Sequence, residues 1–160
     1  GLILWLGDQN SINRDYLSIG LQGGHLHINI NLGSGDFKLA FNVTRIDDRQ
    51  WHQLDLVRSA KQLFVRIDHN VAVRGAIGGE KTQLNVKDSL FLGMSIGFVQ
   101  DPLCDLIGLH TGGLEDTSIQ TNKLYEKGFI GCISNMTLDD NHYVDLVPQS
   151  ERGVNIRTCI

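Results

Sequence analysis

The 160-residue chain reads as all-β, a two-sheet antiparallel β-sandwich of the jelly-roll kind. Three observations predict this. Apolar residues alternate in short runs, and no segment keeps a helical period for long. The chain's 18 glycines break those runs at short spacing, as a sandwich of many short strands requires. Its acidic residues are 14 Asp against 4 Glu, and Asp favours turns and loop ends where Glu favours helices.

Taken in order, Leu2–Leu6 reads as a strand already under way at the first residue, and Asp8–Arg14 as polar loop. Leu17, Ile19 and Leu21 then alternate up to Gly23-Gly24, and Leu26, Ile28, Ile30 and Leu32 alternate after it, which predicts a β-hairpin with one shared apolar face. Asp15 stands at the open end of that hairpin, near its Leu32–Gly33 exit, so a carboxylate and a backbone carbonyl converge at a sheet rim. Asp36–Val43 alternates through Phe37, Leu39, Phe41 and Val43. Trp51–Arg58 and Lys61–Asp68 form a second hairpin joined at Ser59-Ala60. Val71–Arg74, Gln83–Val86 and Ser89–Gly93 read as shorter strands, residues 95–128 as irregular, and Phe129–Leu138 with Tyr143–Leu146 as the closing strands.

Bulk properties exclude several classes. Net charge is −4, which argues against a nucleic-acid binder. No apolar run approaches the ~20 residues of a membrane span, so membrane insertion is not expected. No signal peptide is recognisable, which predicts a mature fragment or excised module. Cys132 and Cys159 lie near enough in sequence for one to staple the C-terminus onto a strand, and Asn42-Val43-Thr44 and Asn135-Met136-Thr137 are glycosylation sequons. Asn42 alternates away from the apolar face and is expected to meet solvent. Together these point to secretion. Cys104 is left over, either a free thiol on a long loop or a bridge to a segment or chain elsewhere.

A set of short pieces, each modest alone, resembles the laminin G-like domain family in order and spacing. They are Gly1-Leu2-Ile3-Leu4-Trp5, Asp15-Tyr16-Leu17-Ser18-Ile19, Gly24-His25-Leu26, Leu32-Gly33-Ser34-Gly35, Trp51-His52 with Leu56-Val57-Arg58, Ser89-Leu90-Phe91-Leu92-Gly93, Gly128-Phe129-Ile130-Gly131-Cys132 and Asn155-Ile156-Arg157-Thr158-Cys159. Within that family the likeness runs to C-terminal modules of matrix proteoglycans. The resemblance implies one concanavalin-like domain over residues 1–160, with about fourteen strands in two sheets. It implies a Cys132–Cys159 disulfide, worth roughly 3 kcal/mol for such a loop. Family domains begin about twenty residues before Gly1, so a trimmed fragment is expected, with its sheet edge filled by another segment or chain.

The resemblance also implies a calcium site at the rim. Its ligands fall on the Asp15 carboxylate, the Leu32 carbonyl, the Val86 carbonyl and Asp88, the last two at the offset that Gln83-Leu84-Asn85-Val86-Lys87-Asp88-Ser89 supplies. Calcium takes six to eight oxygens, so four protein ligands leave room for water or a partner, and roughly 10⁻⁴–10⁻³ M affinity is expected. The plain alternative is that both aspartates only cap turns. A uronate or a receptor carboxylate would complete the coordination, with Arg14 and Lys87 helping to hold a polyanion. The implied partners are the glycan of α-dystroglycan, heparan-type chains or integrins, beside neighbouring modules of a longer chain.

Other clusters carry less. Arg58, Lys61, Arg66 and Arg74 would make a heparin patch, but Asp55 and Asp68 intersperse them, and a mixed solvated face is expected. His25 and His27 share a strand face as a zinc pair would, yet no third ligand is placed, and packing or surface polarity is expected. Jelly rolls also carry glycan hydrolases, but the paired carboxylates of a retaining enzyme are missing, so no catalysis is expected. A purely structural spacer with an empty rim is the remaining alternative.

Overall fold

A computed structural model describes residues 1–7, 15–69, 71–86, 90–92, 117–138 and 142–144. The described residues hold ten strands and one helical turn. The chain divides into two compact units, Leu4–Leu90 and the pair Gly1–Ile3 with Phe91–Ile160. Strand β1 (Leu2–Gly7) crosses that division.

The Leu4–Leu90 unit is built from two antiparallel arrays. The hairpin of β2 (Tyr16–Gln22) and β3 (His25–Asn31) forms as its alternation dictates, with Leu17 opposite Ile30, Ile19 opposite Ile28 and Leu21 opposite Leu26. Gly23 and Gly24 both take positive φ, 58° and 84°, the geometry that a two-residue hairpin turn demands. β4 (Asp36–Phe41) pairs with β3, and the sheet order is β4-β3-β2-β1, with β8 (Leu90–Leu92) beyond β1. The second array is β5 (Leu54–Ser59), β6 (Gln62–Ile67) and β7 (Val71–Ala76), with β6 central.

The two arrays face each other across an apolar layer. Leu26, Ile28, Ile30 and Leu32 of the first are buried, as are Leu63, Val65 and Ile67 of the second. Ile77 packs with Ile30 and Leu32, flanked by Leu17, Phe37 and Leu84. Gly75 of β7 lies so close to the Phe37 ring that an added Cβ would stand 2.6 Å from its Cζ. Burying this layer is the main force that holds the sandwich together.

The hairpin's other face is also buried, which alternation alone did not suggest. Ser18 and Asn29 are opposite each other, 0% and 4% exposed, and their burial is tolerated because the Asn29 amide donates to Ser18 Oγ at 3.2 Å. Beside them Trp5 stacks on Tyr16 at 4.9 Å between ring centroids.

Several expected bounds shift. β4 ends at Phe41, so Val43 leaves the apolar face and is 73% exposed. Trp51 precedes β5 and is 61% exposed. The second hairpin turns at Ala60-Lys61, one residue later than expected, because Ser59 pairs with Gln62. Gln83–Val86 forms no strand.

In the other unit, Leu2 pairs with Gly128 in parallel: its N–H donates to Lys127 O at 2.9 Å, and Phe129 N–H donates to Leu2 O at 2.8 Å. The helical turn α1 (Thr117–Gln120) falls in the region expected to be irregular, and Thr121 Oγ1, bonded to Thr117 O, closes it. The expected closing strands shorten to β9 (Thr137–Leu138) and β10 (His142–Tyr143), paired antiparallel.

Candidate functional site

The hairpin register positions the rim. With Tyr16 opposite Asn31, one further step of the ladder brings Asp15 level with Leu32. Asp15 is 8% exposed, and its Oδ2 accepts a hydrogen bond from the Asn85 N–H at 2.8 Å. A carboxylate at the hairpin's open end is thereby tied to a residue seventy positions along the chain.

Next to it the β3–β4 connection folds around Asn31. Asn31 Oδ1 accepts from Gly33 N–H at 2.7 Å and from Gly35 N–H at 3.3 Å, while its Nδ2 donates to Asp36 Oδ1 at 2.9 Å. Gly33 takes φ of 84°, which an L side chain resists. The missing Cβ also leaves a gap. An atom placed there would lie 3.0 Å from Asp15 Oδ1 and 2.6 Å from Lys81 Nζ.

The third wall is residues 77–86, which cross the rim without belonging to a sheet. Ile77 N–H donates to Lys61 O at 2.8 Å, and Lys61 Nζ donates to Gly79 O at 2.9 Å. Arg58 Nη1 donates to Thr82 O at 3.0 Å and to Ala60 O at 2.7 Å. Gly79, at φ 82°, lies against Ser34, and Leu84 packs on the Ile30–Leu32–Ile77 cluster. Within it Gln83–Val86 is expected to be a strand, since Leu84 and Val86 alternate with polar residues. The segment's Gly79 and Thr82 carbonyls and its Asn85 N–H are instead met by side chains, which the local pattern does not reveal.

Of the expected rim residues, Asp15 and Leu32 meet at the hairpin end, and Val86 follows the Asn85 that binds Asp15. Asp88, Arg14 and Lys87 lie outside the described residues. So do Cys104 and Cys159, while Cys132 is half-buried. Asn42 and Asn135 are both exposed, Asn135 at a positive φ of 52°. The donor types at the rim, a buried carboxylate and backbone carbonyls, are the hard oxygen ligands that calcium takes. Two participants escaped sequence reading, Asn85 and Lys81. Neither carries a local signal, since both reach the rim only because residues 77–86 are pinned there.

The four cations of the mixed face each have a partner within the chain. Arg58 and Lys61 bind backbone carbonyls, Arg66 pairs with Asp55 at 2.8 Å, and the Arg74 guanidinium lies 5.6 Å from the centre of the Phe64 ring. His25 Nδ1 lies 3.2 Å from Thr44 O, and no group of three metal-ligating side chains occurs among the described residues. Burial, and then His25, push the His27 pKa below its ordinary value.

A second polar cluster lies where the β4–β5 connection meets the end of β6. His52 Nδ1 is 2.7 Å from Asp68 Oδ2, and its Nε2 is 2.8 Å from Asp48 Oδ1. The same carboxylates accept N–H groups of Gln53 and Gln50, each at 2.9 Å. The bond to Asp68 raises the His52 pKa, partial burial opposes that rise, and Asp48 adds to it. His52 in turn lowers the pKa of both aspartates.

Comparison with known proteins agrees with this architecture. The chain is 32% identical over 160 residues to pikachurin of Homo sapiens, covering 99% of this chain and 14% of that protein. It is 28% identical to the basement membrane-specific heparan sulfate proteoglycan core protein of Mus musculus, covering 99% of this chain and 4% of that one. The chain thus spans a small part of the length of these relatives. Among solved structures, domains LG4-5 of the mouse laminin alpha1 chain superpose on 58% of this chain and 24% of their own, with TM-score 0.52 and 30% identity. The family model of the laminin G domain matches residues 1–141, and the chain belongs to that family.

Proposed function

We propose that the chain is a secreted extracellular-matrix adhesion module, without catalysis, that holds calcium at its rim and through it an anionic glycan or receptor. One observation carries the reading: Asp15, buried at the hairpin's open end, accepts the Asn85 N–H at 2.8 Å. That bond keeps a carboxylate level with Leu32 and one residue from Val86, so oxygen donors from three separate segments come from one small region.

In this reading Asp15, the Leu32 and Val86 carbonyls and Asp88 are the protein ligands. Calcium so held supplies positive charge and open coordination positions to an acidic partner. Asp15 contributes charge, the hydrogen bond from Asn85 fixes its orientation, and Arg14 and Lys87 draw in a polyanion. Uronate-bearing glycan of the α-dystroglycan type, heparan-type chains and integrins have the matching chemistry. A Cys132–Cys159 disulfide, glycans on Asn42 and Asn135 and a single domain over residues 1–160 belong to the same reading. A calcium-free spacer is the second reading, favoured by the Lys81 ammonium beside the Gly33 gap.

Calorimetry with calcium tests the site. Wild type is expected to bind with Kd roughly 10⁻⁴–10⁻³ M. Asp15→Asn keeps an acceptor for the Asn85 N–H but loses the charge, and is expected to abolish binding. A glycan array with and without calcium tests the partner, with uronate-bearing chains retained only when calcium is present. Equal retention in chelator would overturn the calcium-bridged mechanism.

A further inference from the structure

We propose that residues 48–52 form a pH-operated latch: when His52 loses one ring proton, it keeps Asp68 and releases Asp48. This goes beyond the calcium reading of the rim and does not rest on it.

The geometry fixes the protonation state of the closed form. His52 Nδ1 lies 2.7 Å from Asp68 Oδ2, and its Nε2 lies 2.8 Å from Asp48 Oδ1. An ionised carboxylate can only accept hydrogen bonds, so both ring nitrogens carry a proton and the ring is an imidazolium. His52 itself holds both aspartates below their ordinary pKa, which keeps them ionised around neutral pH. A neutral ring has one N–H. One of the two contacts then sets a lone pair against a carboxylate oxygen and must open.

The two carboxylates are not equivalent. Asp68 directly follows β6; its Oδ1 accepts the Gln53 N–H at 2.9 Å, and its own N–H donates to Gln53 O at 3.0 Å. Those bonds keep Asp68 beside the ring whatever the charge of His52. Asp48 is held by the Gln50 N–H within its own turn, and its side chain is 48% exposed. Water can take over its solvation, so Asp48 is the partner that leaves, and the remaining proton stays on Nδ1.

Backbone strain favours the opening. Arg49, exposed in the middle of the turn, takes φ of 66°, a conformation that persists only while the turn is held. Trp51 comes next and is 61% exposed, so the latch sets whether its ring is presented from a closed turn or a loose one. The other charges nearby are engaged elsewhere: Arg45 pairs with Asp47, Arg66 pairs with Asp55, and His69 acts on Asp68. The bond to Asp68 raises the His52 pKa above its ordinary 6.5. The latch is therefore closed below that raised value and open above it.

NMR of the isotope-labelled 160-residue chain across about pH 5–9 tests this, through the His52 ring nitrogens and the backbone amides. Nε2 is expected to lose its proton and Nδ1 to keep it, with a midpoint above 6.5. The Gln50 and Trp51 amide resonances are expected to move with that midpoint, while those of Gln53 and Asp68 stay. Asp48→Asn is expected to abolish the Gln50 movement and to lower the His52 midpoint less than Asp68→Asn does. A neutral ring protonated at Nε2 would overturn the order of release. Gln53 moving together with Gln50, or Gln50 not moving at all, would overturn the latch.

Discussion

The β2–β3 hairpin and residues 77–86 both reach the rim, but different forces hold them there. Seven cross-strand pairs fix the hairpin, and its apolar face is buried. Residues 77–86 contribute no strand; Asp15, Arg58 and Lys61 side chains, one backbone bond from Ile77 and the packing of Leu84 hold them. The connection from β4 to β5 belongs to the second kind, with Ile46 N–H on Gly24 O at 2.9 Å and His52 held between two aspartates. A ladder distributes its stability over many equivalent bonds, whereas a pinned segment depends on a few dissimilar ones. The rim thus joins a rigid wall to an adjustable one, and Lys81 and Asn85 lie on the adjustable one.

The largest effect should come from the hairpin. Ile30→Ala removes a fully buried side chain from the cluster beneath the rim and is expected to cost about 3 kcal/mol, read by urea unfolding. A loss near zero would mean that the two arrays do not depend on this layer.

Gly79→Ala strikes the pinned segment at its least forgiving point. A methyl group there takes φ of 82° and collides with the Ser34 side chain, so a loss of about 1–3 kcal/mol is expected. Amide exchange at Asn85 should accelerate more than exchange within β2 and β3, which separates loosening of the segment from global destabilisation.

Arg58→Ala removes two side-chain bonds to carbonyls at an exposed site, with an expected cost of about 1 kcal/mol or less. Asn85 exchange is again the sensitive measure. Unchanged exchange there would show that Asp15 and Leu84 alone hold the segment.

The smallest effect is in pH dependence, which belongs to the pinned regions and not to the ladders. The His52 pKa is raised from 6.5, so its stabilising contribution is complete below 6.5 and fades as pH rises through the higher folded value. Asp48 and Asp68 are lowered from 3.8, so their contributions are present above 3.8 and fade as pH falls through the lower folded values. The clamp is therefore strongest between those limits. Thermal melts of wild type should decline on the alkaline side of 6.5, and His52→Gln should flatten that decline.

Particular residues show what could be read in advance. Leu17, Ile19, Ile28 and Ile30 announced their hairpin because a two-residue period and a Gly-Gly turn are local features, and the observed register matches them pair by pair. Asp15 at the open end followed from that register. Gln83–Val86 misled because alternation implies a half-buried segment but not what its backbone bonds to; Asp15 and Arg58, remote in sequence, take those roles. Val43 and Trp51 misled for a related reason: a strand's ends are set by its pairing, and β4 ends at Phe41 opposite Leu26 while β5 begins at Leu54 opposite Ile67. His52 was visible only as a short motif, since its two aspartates lie on opposite sides of it in sequence.

The sequence by itself determined the all-β class, the hairpin register and the family, because alternation, turn glycines and ordered short motifs act over neighbouring residues. Only the tertiary structure decided that the far wall of the rim is a pinned segment, that Asn85 grips Asp15 and that Lys81 fills the space above Gly33. The last two contacts join residues 70 and 48 positions apart. Their geometry exists only once the apolar layer has closed and brought the segments together.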